Sequence, residues 1–416
     1  MHDILAGMKR AFSVKRNSKK AIWFAVVVLA AIVATLLVMY LIKQPRAAHD
    51  VDNTAPQSSN ITPDEKSGEV VIKLAMMGDM LAHDSVNVQA KTADGYDYKP
   101  YFTAIKTLYA GSDVVFCNPE TSVAGDTYGV SGYPTFNAPS AFARDLVEGA
   151  GCNVVNLASN HQNDKGQAGI NQSLAVWKNQ KLLAYHGMND SSDDQNKVAY
   201  FTVKGVKVAF VAFADFSNAK LSNSYSVNLY HDTALVNRLM SEAKANAEVV
   251  LVSVHWGTED SNVINADQKK TAQLLADNSA TIIIGTGPHV EQPVAWLKSN
   301  DGRDVPVWYS IGNMLSSQLG IDGLTSGVAK SEIHIAEGKV TVKNLAFAPT
   351  FMSYEWSAAD KTAGKLLARH DLKLQPLRDA DEEIKTMFGG SRSAAERRAY
   401  LEKTLDATTA GVTVEQ

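Results

Sequence analysis

Two carboxylates, an amide and three imidazoles stand directly behind apolar runs in this chain: Asp79, Glu120, Asn160 next to His161, His255 and His289. Carboxylate and imidazole are donors for hard and borderline divalent cations, and a carboxamide oxygen adds a neutral one. His161 also carries Asp164 three residues on, a carboxylate able to hold the ring in one tautomer and raise its basicity. Each residue has a plainer reading: Asp79 as a cap, Glu120 as a buried carboxylate with a local partner, each histidine as a satisfied loop residue. Five such polar strand ends in one chain favour a single composite site over separate coincidences. His83, His186 and Asn313 are weaker candidates, while His2, His49, His231, His334 and His370 lack a comparable setting.

The elements that must position these groups alternate along the chain. Apolar runs at 70–77, 113–117, 153–158 and 182–186 read as strands, separated by helical spacing near 101–109, 141–149 and 169–180. Strands spaced by helices imply βαβ crossovers and a mainly parallel sheet, with ligands gathering at its carboxyl edge. A hairpin signal follows, 200–203 and 206–212 around Lys204-Gly205, and then buried strands at 249–254 and 281–284, preceded by helices near 233–247 and 268–278. Residues 305–311, 329–335 and 339–347 read as a second, more antiparallel set. The fold class is α/β, with two sheets face to face under helices.

The start of the chain has a different character. Residues 1–20 carry six Lys and Arg, 21–42 are uncharged and apolar, and 43–69 are rich in Pro, Ser, Asn, Asp and Thr. The apolar run matches the roughly 20 residues that span a bilayer core and offers no small-residue cleavage site, so one uncleaved transmembrane helix is expected. The basic block keeps the N-terminus cytoplasmic, and the tether places the α/β domain, 70–355, outside the cell membrane. A C-terminal helical extension, 356–416, follows, with a helix candidate at 395–405 after the glycines and serines of 389–393. The net charge of −4 over 416 residues carries no basic block outside the membrane-proximal one, which argues against nucleic acid. The two cysteines, Cys117 and Cys152, exclude a zinc–cysteine site by count. They read as two buried thiols on adjacent strands, with a bridge open if those strands pair.

The motifs together resemble a known family. Gly78-Asp-Met-Leu81, Asn118-Pro-Glu-Thr121, Ser159-Asn-His-Gln-Asn-Asp-Lys-Gly166, Val254-His-Trp-Gly-Thr-Glu259, Gly285-Thr-Gly-Pro-His-Val290 and Tyr309-Ser-Ile-Gly-Asn313 look like the signature blocks of bacterial capsule-synthesis proteins of the CapA/PgsA type, associated with poly-γ-glutamate. The blocks run in order from about residue 72 to 350. That family is similar in turn to calcineurin-like metallophosphoesterases, which implies a four-layer αββα sandwich here. The resemblance implies that Asp79 holds a first metal, Glu120 stands near the bridging position and Asn160 binds a second metal. It further implies that His255 and His289 complete the coordination and that His161 protonates a leaving group. The cofactor implied is divalent manganese, zinc or iron. Two departures bear on this: Gly287-Pro288-His289 stands where the family has His-Pro-His, and Asn118 stands where phosphoesterases have a carboxylate. With one imidazole gone, a single metal or none is expected. Two functions follow: an accessory protein of capsular polymer synthesis or export, beside a membrane-bound synthase complex and an anionic surface polymer, or an extracytoplasmic metal-dependent hydrolase of phosphoester or amide bonds in such a polymer.

Overall fold

Alternate residues of the apolar runs go to different cores, and this partition organises the molecule. In the strand Val206–Ala214, Val208, Phe210 and Ala212 face one core while Ala209, Val211 and Phe213 face another; in Val249–His255, Leu251 and Val252 divide in the same way. A strand apolar on both sides reads as a continuous hydrophobic run because neither face meets water. The computed structural model describes residues 68–416. The expected transmembrane helix, 21–42, and nearly all of the tether lie outside them; among the described residues no helix is long and apolar enough to cross a membrane.

The result is a mixed α/β fold with two large sheets. The larger, of nine strands, runs His370–Pro376, Lys339–Glu355, Thr325–Ala336, Val70–Met80, Val114–Pro119, Val154–Asn156, Ala184–His186, with Asn313–Leu315 added beside the first strand and Thr413–Val414 beside Lys339–Glu355. The six-stranded sheet runs Glu291–Lys298, Asp304–Ile311, Ile282–Thr286, Val249–His255, Val206–Ala214, Ala199–Val203. Leu74, Met76 and Phe116 of the larger sheet share a core with Phe210, Leu251, Ile284 and Trp308 of the smaller. On the smaller sheet's other face, Leu235, Leu239 and Met240 of the helix Thr233–Asn246 and Leu275 of Ala266–Asp277 cover Val211, Val252 and Ile283.

The expected division of strands between the sheets is corrected. The antiparallel strands Thr325–Ala336 and Lys339–Glu355 complete the larger sheet, because Thr325–Ala336 pairs directly with Val70–Met80. Asp304–Ile311 belongs to the smaller sheet, parallel to Ile282–Thr286. Glu291–Lys298, unmarked by apolar alternation, is a strand at that sheet's edge, the place where Pro293 costs no ladder bond. The C-terminal residues 356–416 join the main core through Ile384, Leu401, Leu405 and Val414, and Ser393 caps the helix Ala394–Thr404 by accepting the Glu396 N–H.

Cys117 and Cys152 form a disulfide, with Cα atoms 5.8 Å apart. Parallel pairing puts Cys117 opposite Val155, three residues after Cys152, so the strands pair and the register brings the sulfurs together, which decides the question the sequence left open between buried thiols and a bridge.

Candidate metal centre

The two sheets meet at one edge, and the polar strand ends converge there. Asp79 lies within the last turn of pairing of Val70–Met80, its N–H donated to the Gly312 carbonyl at 3.0 Å. Any side chain at Gly78 would run into that same carbonyl, which explains the glycine before the aspartate. Glu120 follows Val114–Pro119 and is held by its N–H to the Met80 carbonyl, 3.0 Å. The smaller sheet supplies His255, the last residue of its strand, and His289, just past Ile282–Thr286. His289 holds a left-handed φ of 64°, a costly conformation for a residue with a Cβ and one that recurs at functional sites.

Asp79, Glu120 and His289 present donor atoms within 4.8 Å of one another, all three buried. His289 Nδ1 stands 3.3 Å from Asp79 Oδ2 and 3.7 Å from Glu120 Oε2. His255 bridges the same carboxylates, with Nδ1 3.7 Å from Asp79 Oδ1 and Nε2 3.6 Å from Glu120 Oε1. Four of the expected ligands are thus one cluster drawn from both sheets. Asn160 is buried on the adjacent loop and lies within hydrogen-bond reach of none of the four.

The electrostatics follow from burial. Desolvation opposes charge on every member, yet the His289 and His255 imidazoles overcome it and hold the Glu120 carboxyl below its ordinary range. Reciprocally, Glu120 and Asp79 hold both imidazoles above theirs against the same penalty. Both Glu120 oxygens and Asn160 Oδ1 are buried and accept no hydrogen bond within the described residues. A buried carboxylate without donors is expensive, and a divalent cation among two carboxylates and two imidazoles would satisfy it. The donor set therefore fits a metal.

Asn118 and Gly287, the two departures from the family pattern, are both in use. Asn118 Nδ2 donates to Asp79 Oδ1 at 2.7 Å, and its Oδ1 accepts from Asn156 Nδ2 at 2.7 Å, an amide relay that steadies the carboxylate. The Gly287 N–H donates to both Asp79 oxygens, at 3.2 and 3.1 Å. Gly287 has a φ of +110°, and a Cβ there would come within 2.7 Å of the Trp256 carbonyl oxygen. The position is therefore a backbone ligand to Asp79 and has no room for an imidazole on this backbone.

His161 and Asp164 form the expected pair. The ring's Nδ1–H donates to Asp164 Oδ2 at 2.7 Å, and that oxygen also accepts the Phe136 N–H at 2.7 Å. Nε2 then carries a lone pair, 3.2 Å from the Asn218 amide nitrogen. Phe136 packs edge-on against His161 with centroids 4.6 Å apart. Sequence reading missed Asn156, Asn218 and Phe136. Asn156 had a signal, an amide inside an apolar strand; Asn218 and Phe136 sit on loops with none. His186, a weaker candidate, is structural: Nδ1 accepts the Ala212 N–H and Nε2 donates to the Lys197 carbonyl.

Residues 73–318 match the family described as bacterial capsule synthesis protein PGA_cap. The chain is 33% identical to the PGA biosynthesis protein CapA of Bacillus subtilis (strain 168) over 40% of its own length and 43% of that protein's. It is 32% identical to the capsule biosynthesis protein CapA of Bacillus anthracis over 41% and 42% respectively. The matches thus span under half the length of these curated relatives. A crystal structure described as a novel phosphatase of Mycoplasma pneumoniae aligns with a TM-score of 0.42 at 13% identity, covering 67% of this chain and 93% of that one.

Proposed function

Because the chain belongs to the bacterial capsule synthesis family PGA_cap, we propose that it acts in making or exporting a capsular polymer of the poly-γ-glutamate type, and that its converged strand ends are a divalent metal centre working on that polymer. The observation that carries the metal reading is Glu120, whose two buried oxygens face imidazoles and accept no hydrogen bond. We read the paired sheets and their covering helices as the αββα sandwich of metallophosphoesterases. Asp79, Glu120, His255 and His289 would hold the cation. When bound, it supplies Lewis-acid polarisation of a carbonyl or phosphoryl oxygen.

His161 handles the proton. Asp164 fixes the Nδ1–H, so Nε2 is free to take a proton from an attacking water once substrate displaces the Asn218 amide. The same nitrogen then returns that proton to the departing amine or alkoxide, and the ring ends as it began. Hydrolysis of an amide or phosphoester in the polymer is the reaction this arrangement suits. A non-catalytic accessory role beside a membrane synthase is the second reading, favoured by Asp79, whose oxygens already accept from Asn118 and Gly287.

The apolar run at 21–42 supports anchoring by one helix with the domain outside, and a Cys117–Cys152 bridge suits an oxidising compartment. Protease added to intact cells with permeable walls is expected to degrade the domain; full protection until lysis would reverse the topology. For the chemistry, the test is elemental analysis of the purified full chain, followed by hydrolysis of γ-glutamyl amide and phosphodiester model compounds. Bound metal and turnover abolished by His161→Ala support the hydrolase. Bound metal without turnover moves the weight to the accessory role, and a metal-free chain that takes up none on dialysis ends the metal reading.

A further inference from the structure

Beside the centre lie two basic side chains that form no ion pair with a carboxylate among the described residues. His83, on the loop after Val70–Met80, accepts the Ser317 backbone N–H on Nδ1 at 3.2 Å. The ring is therefore neutral, with its proton on Nε2, where it finds no acceptor among the described residues. Burial, reinforced by the fields of His289 and Arg369, keeps its pKa at about 3. Phe136 touches both this ring and His161, with centroids 5.3 and 4.6 Å away, so His83 and the proton-carrying histidine flank one phenyl group.

Arg369 approaches from the C-terminal segment. It is 7% exposed and forms no ion pair among the described residues. Its Nε donates to the Leu366 carbonyl at 2.9 Å, its Nη1 to the Ser317 carbonyl, and the guanidinium lies 5.3 Å from the Tyr354 ring and 5.9 Å from that of Trp356. One residue thus joins the two bases: the Ser317 carbonyl receives Arg369 and the Ser317 N–H serves His83. Arg397, the other buried arginine among the described residues, shows the ordinary arrangement, with Asp322 at 2.6 Å. A buried guanidinium without a counter-ion is costly, and a planar fork with free donors is suited to an oxyanion.

We propose that His83 and Arg369 form an anion-recognition subsite beside the metal centre, which takes a carboxylate or phosphate oxygen of the substrate. This rests on the polymer reading above and deepens it, since the repeating charge of a γ-linked glutamate chain is its α-carboxylate. Arg369 lies beyond the stretch, 73–318, that matches the family, so specificity here comes from the chain's own C-terminal part.

The test compares binding of a γ-linked glutamate oligomer, its α-methyl ester and inorganic phosphate to the full chain by calorimetry. Wild type is expected to prefer acid over ester about tenfold, the worth of one charge-assisted hydrogen bond. Arg369→Gln should bring that ratio close to one, and His83→Phe should lower it by a smaller factor. A variant that is only structurally damaged loses acid and ester alike and keeps the ratio, which overturns the subsite and leaves the polymer reading standing. Should Arg369→Gln fail to fold, Arg369→Lys decides: a several-fold drop in the ratio supports the fork, and an unchanged ratio overturns it. Phosphate binding that depends on Arg369, with no binding of the oligomer, keeps the subsite and overturns the polymer reading. A wild-type chain that binds neither anion overturns both.

Discussion

Several places among the described residues bring two carboxylates together with at least one imidazole, and two of them compare most directly, one with the makings of a site and one without. Asp215, His231 and Asp267 lie at the surface, with His231 Nε2 2.7 Å from Asp215 and the Tyr230 hydroxyl donating to Asp267 at 2.6 Å. Asp79, Glu120, His255 and His289 are buried, and the Glu120 oxygens accept no hydrogen bond. Donor identity is the same in both; what differs is whether water and local donors already satisfy the charge. An exposed trio gains little by exchanging water for a cation, whereas a buried carboxylate with nothing to accept gains a great deal.

The largest expected effect tests the rigid footing of the buried group. The Cys117–Cys152 bridge closes a 35-residue separation and ends next to Asn118, so replacing both cysteines by serine should cost roughly 4 kcal/mol by the loop-entropy estimate, read from denaturant unfolding. Metal uptake comes next. Glu120→Gln should weaken manganese or zinc binding in equilibrium dialysis by roughly 100-fold or more, beyond the cost of losing a supporting group, while Asp215→Asn should leave it unchanged. Equal losses from both variants would erase the distinction between the clusters.

A smaller effect is expected at Gly287. Its positive φ and the nearby Trp256 carbonyl mean that Gly287→His should lower stability by roughly 1–3 kcal/mol and should not raise metal affinity. Tighter metal binding by that variant would show that the backbone there gives way.

Glu291 offers the finest contrast, because its oxygens are also buried and without partners, yet no imidazole among the described residues pairs with it or shifts its charge. Burial raises its pKa well above the ordinary value, with only partial relief from Arg397. The folded chain then holds a proton that the unfolded chain loses above roughly pH 4.3, so stability falls as pH rises through that window. Glu291→Gln removes the titration, and its melting temperature should exceed wild type by a few degrees at pH 7 and match it near pH 4. An unchanged difference across that range would mean that Glu291 is ionised in the fold.

The convergence of Asp79, Glu120, His255 and His289 was legible in the sequence, because apolar runs buried on both faces announce strands and their carboxyl ends share an edge. The allotment of strands to sheets was not, since the antiparallel Thr325–Ala336 can be placed only once its partner is known. Gly287 shows the other limit: the sequence reveals a missing side chain and conceals that the peptide N–H already serves Asp79. His83 was visible as a histidine near the first strand end, but its meaning depends on Ser317 and Arg369, more than two hundred residues away in the chain.

The buried cluster takes its carboxylates from one sheet and its imidazoles from the other. A cation seated there would act as a rivet through two layers, and shearing the layers apart would have to expel it. Thermal stability would then be a reading of free metal concentration, climbing by RT ln(1 + [M]/Kd), and a chelator would loosen the sandwich as a whole.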